Sequence, residues 1–241
     1  MSFARIFITG SPLAKSGGSV HVPFACRLTE SIGEGAVAFR KTNEKFGGLS
    51  NMAPGFPLVV NGAPIRTAEA LYQACRFPHM PKVQKLILDE RSPMTAKMRS
   101  KPHRKDTRPD WDAIRVPIMK WCLRVKLAQN WAAFGDLLLA TGDHPIVEDS
   151  RKDDYWGAKM VDDDTLAGQN VLGRLLMELR EKLKHSPETL TVVDPPSLPH
   201  FTLLDEPIST IYAELSKSSH QAKANARPSA TRSFWDVPEH R

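Results

Sequence analysis

Two groups of acidic residues could carry out acid–base chemistry. The first centres on Glu69 in the segment TAEALYQACRF, where Glu69, Gln73 and Arg76 are spaced at i, i+4 and i+7 and therefore share one helix face. A carboxylate and a guanidinium on one face could hold a ribose hydroxyl and a phosphate. The same pattern also occurs on exposed helix surfaces, so both interpretations stand at this point.

The second acidic group is Glu148 and Asp153, which shortly precede Tyr155-Trp156-Gly157. Nearby carboxylates can stabilise an oxocarbenium-like centre or activate water. A tryptophan beside a glycine in a polar loop is costly to leave exposed. Trp156 is therefore either an anchor docked on the protein or a stacking platform for a base.

A glycine-containing loop and a lysine add further candidates. The loop FGGLSN contains Gly47, Ser50 and Asn51; its glycines would allow close approach to a ligand, and its polar side chains would offer hydrogen bonds. It also fits a plain turn before a hairpin. Lys126 lies at the edge of an apolar helix face, where a lowered pKa would make it a nucleophile, although a lysine that extends to solvent fits the same position.

The elements that must position these residues are mainly helical. Segment 58–66 predicts a hairpin with a tight Asn61-Gly62 turn, and Thr67 is a plausible helix N-cap. A polar loop is predicted at 149–169. The pattern predicts helices at 67–77, 82–89, 93–99, 112–131, 136–141 and 170–183, and short strands at 3–9, 19–24, 36–40 and 146–148. These elements predict an α+β fold that is mainly α-helical.

Charge and composition narrow the classes of function. The chain of 241 residues has a net charge of +6. The stretch from Lys97 to Lys126 contains ten Lys or Arg residues and only three Asp residues. Such a stretch attracts phosphates in a nucleotide or along DNA or RNA, or it is a solvated helix face and loop. Three scattered cysteines favour a reducing, cytoplasmic compartment. No spacing is typical of a metal site, and no apolar run is long enough to cross a membrane.

Six segments occur in the order expected for one family. They are FRKTNEKFGGLSN, TAEALYQACRF, SPMTAKMRSKPHRKD, DWDAIRVPIMKWCLRVKLAQN, LLLATGDHPIVEDSRKDDYWG and GQNVLGRLLMELREKL. Together they resemble the NADAR/YbiA-like superfamily. The sequence differs from the family pattern at Met52, Ala70 and Arg76, where an aromatic residue, a histidine and a lysine are usual.

The resemblance implies a single YbiA-like domain at residues 36–184, with a few short N-terminal strands and a small hairpin. Residues 1–35 would be a strand-like extension, and the Pro-rich composition after residue 184 predicts a linker and a mobile basic tail through 185–241. The implied activity is that of an N-glycosidase, which cleaves a ribose C1 bonded to an exocyclic amine. No cofactor and no metal are implied.

Residue roles follow from the match. Glu69 and Asp153 are the leading carboxylates, Glu148 is held in reserve, and Lys126 is the nucleophile of a possible Schiff-base route. Trp156 is expected to stack on the base or adenine. Hydroxyls and phosphates are expected to bind Asn51, Arg76 and Asn170. The remaining binding candidates are Gly47, Ser50, Arg104, Tyr155 and Gly157.

Three functions remain open at the level of the sequence. The basic stretch favours removal of ADP-ribose from guanine in nucleic acid, with a functional link to an ADP-ribosyltransferase. The alternative enzyme acts on phosphoribosylamino-pyrimidine intermediates of riboflavin synthesis. A different class is a module that binds ADP-ribose or NAD without cleaving it, which would need no carboxylate near C1. A DNA-binding module alone is the weakest interpretation, but the basic stretch could help an enzyme to reach a modified base, because phosphate contacts position a protein without reading sequence.

Overall fold

The computed structural model describes residues 28–31, 35–162 and 165–214. The strands predicted at 3–9 and 19–24 and the tail after residue 214 lie outside these ranges. None of the helices in this part of the chain is long and apolar enough to span a membrane.

Six α-helices form the body of the described structure. They are α1 (Ala68–Ala74), α2 (Pro81–Leu88), α3 (Pro93–Ser100), α4 (Trp111–Gln129), α5 (Trp131–Leu139) and α6 (Val171–His185). Short 3-10 turns lie at Gly47–Leu49, Lys101–Asp106 and Pro187–Leu190. The predicted α+β class with a helical majority is confirmed.

The described ranges also contain eleven short strands in five small sheets. They are β1 (Leu28–Ser31), β2 (Val37–Phe39), β3 (Leu58–Val60), β4 (Ala63–Ile65), β5 (Ile146–Glu148), β6 (Ala158–Asp162), β7 (Thr165–Gly168), β8 (Val192–Val193), β9 (Thr202–Leu203), β10 (Glu206–Pro207) and β11 (Ile211–Tyr212). Strand β2 pairs in parallel with β5, and the other pairs, including the predicted β3–β4 hairpin, are antiparallel.

Helix α1 is buried along its whole length. The Thr67 side chain accepts a hydrogen bond from the Ala70 N–H at 3.3 Å, as expected of an N-cap. The helix ends at Ala74, three residues earlier than predicted, because the following N–H groups of Arg76 and Phe77 bond to carbonyls three residues back. Since Glu69 and Gln73 are both buried, the interpretation of this segment as an exposed helix surface is wrong.

Helix α4 crosses the middle of the domain. It begins at Trp111 and continues through Pro117, which is exposed, so the carbonyl that loses its helical partner there can reach solvent. The residues predicted to face inward, such as Trp121 and Val125, are buried. The helix also buries Lys126, whose side chain has a relative exposure of 1%.

The prediction of a polar loop at 149–169 is wrong for the second half of this range. Strands β6 and β7 lie there and pair antiparallel, and β7 also pairs with β1. The inward positions Ala158 and Leu166 are buried. The sequence did not predict these strands because the acidic run at 162–164 gives the segment the composition of a polar loop.

The expectation of a linker directly after residue 184 is also wrong. Residues 186–214, called here the C-terminal belt, pack against the helices and contribute buried side chains to the core: Leu190, Val193, Phe201, Leu203, Ile208 and Ile211. Strands β8 and β11 contact α4. Prolines interrupt regular structure in this segment but do not prevent its spaced apolar residues from docking.

Two side-chain amides fasten the belt to the rest of the domain. The Gln84 side chain is fully buried, accepts a hydrogen bond from the Leu204 N–H at 2.6 Å and donates to the Thr202 carbonyl at 3.0 Å. At the tip of the β3–β4 hairpin, Asn61 donates to the Pro207 carbonyl at 3.0 Å and accepts from the Ser209 N–H at 3.2 Å. These bonds satisfy backbone groups that regular secondary structure leaves open.

We expect Phe201→Ala to lower the free energy of unfolding by about 3 kcal/mol, because truncating a buried aromatic side chain leaves a cavity. Phe201 is 8% exposed and packs edge-on against Trp121, with ring centroids 5.1 Å apart. Urea denaturation measures the change. The matched control is Tyr212→Ala in the same belt; Tyr212 is 68% exposed, so its loss should cost less than about 0.5 kcal/mol. Equal, negligible effects of both substitutions would restore the linker interpretation.

Candidate active site

One cavity of about 620 Å³ gathers polar side chains from α1, α3, α4 and the segments at 50–52 and 148–156. Eight of the predicted site residues line it: Ser50, Asn51, Glu69, Arg76, Arg104, Glu148, Asp153 and Trp156. Five do not: Gly47, Lys126, Tyr155, Gly157 and Asn170. The two acidic groups from distant parts of the sequence therefore meet in one place.

Glu148, at the end of β5, is the carboxyl group best suited to proton transfer. Burial, together with the negative charges of Glu69 and Asp153, raises its pKa to about 7, while Lys97 acts in the opposite direction. A carboxyl group that titrates near neutral pH can both give and take a proton under working conditions. The residue held in reserve by sequence reasoning thus becomes the first candidate.

Asn170 holds Glu148 in place from outside the cavity. Its side-chain oxygen accepts a hydrogen bond from the Glu148 N–H at 3.2 Å, and its amide nitrogen donates to the Ile146 carbonyl at 2.8 Å. The residue is 1% exposed and adopts a left-handed backbone conformation with φ of 47°. The expected contact of Asn170 with substrate hydroxyls does not fit this geometry, because its amide is used to fix β5.

Glu69 supplies the second carboxylate from the buried face of α1. Its Oε1 atom accepts a hydrogen bond from Gln73 Nε2 at 3.0 Å, and Lys97 Nζ lies 3.9 Å from the same oxygen. The Glu69 N–H also donates to the Asn51 carbonyl at 3.0 Å. Helix α1 and the 50–52 segment are thereby joined at the cavity wall.

Asp153 is committed in part to local structure. Its Oδ1 atom accepts hydrogen bonds from the N–H groups of Tyr155 at 3.0 Å and Trp156 at 2.9 Å, while its own N–H donates to Ser150 Oγ at 3.1 Å. This is the pattern of an Asx turn. Asp153 still lines the cavity, but one of its oxygens shapes the turn that presents Trp156.

A row of aromatic rings forms one wall. Trp111, Tyr72 and Trp156 line the cavity in contact, with centroid distances of 5.0 Å between the first two and 5.6 Å between the last two. Arg76 lies over the Trp111 ring at 5.0 Å, and Arg115 lies over the neighbouring Tyr155 ring at 3.8 Å. Stacked guanidinium groups keep their outer edges available for phosphate oxygens.

Three buried polar atoms on cavity-lining side chains, Asn51 Oδ1, Arg76 Nε and Arg115 Nε, have no hydrogen-bond partner among the described residues. Asn51 is otherwise held by its amide nitrogen, which lies 2.8 Å from Met119 Sδ, and Arg76 donates to Thr107 Oγ1 at 3.2 Å. Burial lowers the pKa of Arg76. Unsatisfied buried polar atoms are costly, which fits a site that completes its hydrogen bonds with a ligand.

Lys126 lies behind the cavity rather than in it. Its ammonium group donates to the carbonyls of Gly48 at 2.6 Å and Ser50 at 3.0 Å and sits between the rings of Phe56 and Phe134, at 4.5 and 4.2 Å. Burial lowers its pKa to about 7. The lowered pKa expected from the sequence is present, but the expected nucleophile is enclosed and supports the 48–50 loop.

The remaining candidates outside the cavity also have structural tasks. A Cβ atom at Gly47 would lie 2.3 Å from the Lys41 carbonyl oxygen, and one at Gly157 would lie 2.5 Å from the Glu148 carbonyl oxygen. Both glycines therefore permit close backbone packing. Tyr155 supports Arg115 from behind.

The basic stretch from Lys97 to Lys126 does not form one surface. Arg108 and Lys126 are buried, and Lys97, Arg104 and Arg115 line the cavity. Since half of the ten basic residues are buried or line the cavity, the stretch favours a phosphorylated ligand there over a long nucleic-acid footprint. Within the described ranges, no group of three or more His, Cys, Asp or Glu residues could hold a metal ion.

The sequence model of the NADAR domain matches residues 38–184. The chain belongs to the NADAR family. N-glycosidase YbiA of Escherichia coli (strain K12) is 35% identical over 159 residues, which cover 66% of this chain and 95% of that protein. A riboflavin biosynthesis protein of Vibrio vulnificus is 34% identical over 174 residues, covering 71% of this chain and 46% of that protein.

The NMR structure of the E. coli protein YbiA is similar to this NADAR domain, with a TM-score of 0.54 and 30% sequence identity over 70% of this chain and 96% of that one. The predicted family and YbiA-like fold are confirmed. At the level of the family, the chain is a hydrolase of N-glycosyl bonds.

Sequence reasoning missed several cavity residues of this NADAR domain. They are Arg40, Tyr72, Lys97, Trp111 and Arg115. Tyr72 follows Glu69 by one helical turn, and Trp111 and Arg115 are spaced at i, i+4 on α4. That spacing was a usable signal, but sequence reasoning gave no role to either aromatic residue and counted Arg115 only as one charge among ten.

We expect Glu148→Gln to stabilise the NADAR domain more at about pH 8 than at about pH 4.5. Because the pKa of Glu148 is raised from 4.5 to about 7 in the folded protein, the folded state holds its proton more tightly, and stability falls as pH rises through this window. Glutamine removes that penalty. Denaturant unfolding at both pH values measures the difference.

Glu178→Gln is the matched control. Burial opposes ionisation of Glu178, but hydrogen bonds from Lys120 and Lys182 outweigh it and lower its pKa. Its carboxylate therefore contributes stability that is present above its unfolded pKa and lost as pH falls. The control should be destabilised towards high pH, opposite to Glu148→Gln. The same pH trend in both variants would contradict the shift assigned to Glu148.

Proposed function

We propose that this NADAR domain hydrolyses the bond between ribose C1 and an exocyclic amine nitrogen in a phosphorylated substrate. The observation that carries the proposal is Glu148, whose pKa is raised to about 7 beside Glu69 in a cavity that also contains arginines. A proton donor, a fixed negative charge and phosphate-binding groups are the three requirements of this reaction.

In the proposed reaction, protonated Glu148 gives its proton to the departing amine nitrogen, which keeps the electron pair of the broken C1–N bond. The positive charge that develops on the ribose ring is stabilised by the Glu69 carboxylate, held in place by Gln73 and Lys97. A water oxygen then bonds to C1 and passes a proton to Glu148, which restores the starting state. Asp153 keeps a supporting role, because it presents Trp156 and raises the pKa of Glu148.

Substrate binding is assigned to the rest of the cavity. Arg76, Arg104 and Arg115 line it and are the proposed phosphate ligands, because guanidinium groups bind phosphate oxygens in pairs. Trp156 is the proposed stacking surface for a base. Asn51 is the proposed ligand of a ribose hydroxyl through its unpartnered side-chain oxygen.

The first candidate substrate is ADP-ribose attached to guanine in nucleic acid. A cavity of about 620 Å³ with several cations is large enough for a dinucleotide-sized group, since drug-sized ligands occupy pockets of about 300–1,000 Å³. A functional link to an ADP-ribosyltransferase would follow from this substrate. The dispersal of the basic stretch weakens the case for extended DNA or RNA contacts beyond the modified base.

The second candidate is a phosphoribosylamino-pyrimidine intermediate of riboflavin synthesis. It is supported by relatives named as riboflavin biosynthesis proteins in Vibrio vulnificus and Zea mays. A non-catalytic reader of ADP-ribose or NAD remains the alternative of another class. A reader has no use for a proton-exchanging carboxyl beside a second carboxylate, so the pairing of Glu148 with Glu69 favours the enzyme.

We expect turnover of one of two substrates assayed side by side, an oligonucleotide carrying ADP-ribosyl-guanine and the ribosylamino-pyrimidine phosphate. Glu148→Gln should lower kcat by about 10²–10⁴-fold, because it removes the proton donor and acceptor. Glu178→Gln, remote from the cavity lining, should keep the wild-type rate. Binding of ADP-ribose without cleavage of either substrate would favour the reader.

We expect borohydride to trap no adduct on Lys126 during turnover, because its ammonium group is enclosed and bonded to two carbonyls. Peptide mass mapping after reduction measures this. A stable ribosyl adduct on Lys126 would contradict the carboxylate route and restore the Schiff-base mechanism. An adduct on Lys97, which lines the cavity, would also contradict the carboxylate route and would make this lysine of α3 the nucleophile.

A further inference from the structure

Arg108 connects two residues of the cavity wall through its backbone. Its N–H donates to the Arg76 carbonyl at 3.0 Å, and its own carbonyl accepts from the Trp111 N–H at 3.1 Å. Arg76 follows α1, and Trp111 begins α4. The position of Arg108 therefore fixes how the ends of these helices approach each other at the cavity.

The Arg108 side chain connects the same point to the C-terminal belt. Its Nε and Nη2 atoms donate to the two carboxylate oxygens of Asp110 at 2.6 and 2.9 Å, and Nη2 also donates to the Pro199 carbonyl at 2.8 Å. Asp110 immediately precedes α4, and its carbonyl accepts from the Ala113 and Ile114 N–H groups. Arg108 is 5% exposed, whereas the Asp110 side chain is 39% exposed, so the guanidinium is buried while its carboxylate partner reaches solvent.

We propose that Arg108 is a positioning residue that couples docking of the belt at Pro199 to the placement of Arg76 and Trp111 in the cavity. The matched family region ends at residue 184, so one partner of this connection lies beyond it. The proposal rests on the proposed function in one respect: it takes Arg76 to be a ligand of substrate phosphate. Arg108 itself does not line the cavity.

The connection made by Arg108 is expected to affect ligand binding and not proton transfer. If Arg108 moves, the Arg76 guanidinium and the Trp111 ring beneath it, which are 5.0 Å apart, lose their common support. Glu148 is held by Asn170 on β5, which is a separate connection. Loss of Arg108 should therefore weaken affinity for the phosphate-bearing part of a ligand and leave proton transfer intact.

Arg108→Lys is the test substitution, because lysine keeps the positive charge but cannot reproduce a planar, bidentate fork. Arg180→Lys is the matched control. Arg180 is equally buried at 4% exposure and donates to Thr141 Oγ1 at 2.9 Å and the His144 carbonyl at 2.7 Å, on α6 and away from the cavity lining. Both substitutions should lower stability to a similar extent.

The experiment compares the full-length wild type and the two variants at a temperature where all three are folded. Calorimetry measures the affinity for ADP-ribose and for ribose 5-phosphate, and steady-state assays give kcat, KM and the pH profile. For Arg108→Lys we expect Kd and KM to rise about tenfold or more, with kcat and the Glu148 limb of the pH profile nearly unchanged. For Arg180→Lys we expect wild-type Kd and KM.

Two results would overturn the proposal: wild-type affinity in folded Arg108→Lys, or an equal loss of affinity in both variants, which would indicate a merely structural role. A wild type that binds a probe but cleaves neither substrate overturns the proposed function, while the comparison of affinities still decides the role of Arg108. A wild type that binds neither probe overturns both.

Discussion

The site depends on one energetically unfavourable placement. The Glu148 carboxyl group is largely shielded from solvent and lies near two other carboxyl groups. Desolvation and like charge both oppose its ionisation, and such a group persists only where the surrounding structure fixes it. Here the fixing is done by Asn170, whose buried amide bonds to both ends of β5. The raised pKa therefore results from the burial and the neighbouring carboxylates of the position in which β5 is held, and not from Glu148 alone.

Lys126 positions the loop at 48–50 in the way that Asn170 positions β5. The Lys126 ammonium bonds to two loop carbonyls between two aromatic rings. The neighbouring residue Asn51 then reaches the cavity with its side-chain oxygen unpaired. Asn170 and Lys126 thus have the same role. Each lies just outside the cavity and determines the geometry of a residue inside it.

The sequence was sufficient for the helices and for most of the acidic site. Periodicity located α4 and α6, Thr67 marked the start of α1, and the order of six motifs indicated the family. Glu69 was recognisable from its spacing with Gln73 and Arg76, and Glu148 from its position shortly before Tyr155-Trp156-Gly157. Their roles were not, because the pKa of Glu148 depends on residues about 80 positions away in the chain.

Other features required the fold. Lys126 and Asn170 have residue types suited to a ligand, but three-dimensional packing directs them to backbone carbonyls instead. The belt has the composition of a linker, and only the helix surface that it covers gives its spaced apolar residues a place to dock. Arg115 could not be distinguished from an ordinary surface charge until the fold showed Tyr155 beside it. Trp111 could not be distinguished from an ordinary core residue until the fold showed Tyr72 beside it.

The parallel pairing of β2 with β5 has a consequence for how the protein is made. Val37 and Ile146 are neighbours in this pair although they lie about a hundred residues apart along the chain, so their contact closes a long loop at a substantial entropic cost. Five helices are synthesised before β5 emerges, and Asn170 follows later still. We therefore expect the helical body to assemble first during biosynthesis, and the proton-exchanging carboxyl to reach its environment among the last events of folding.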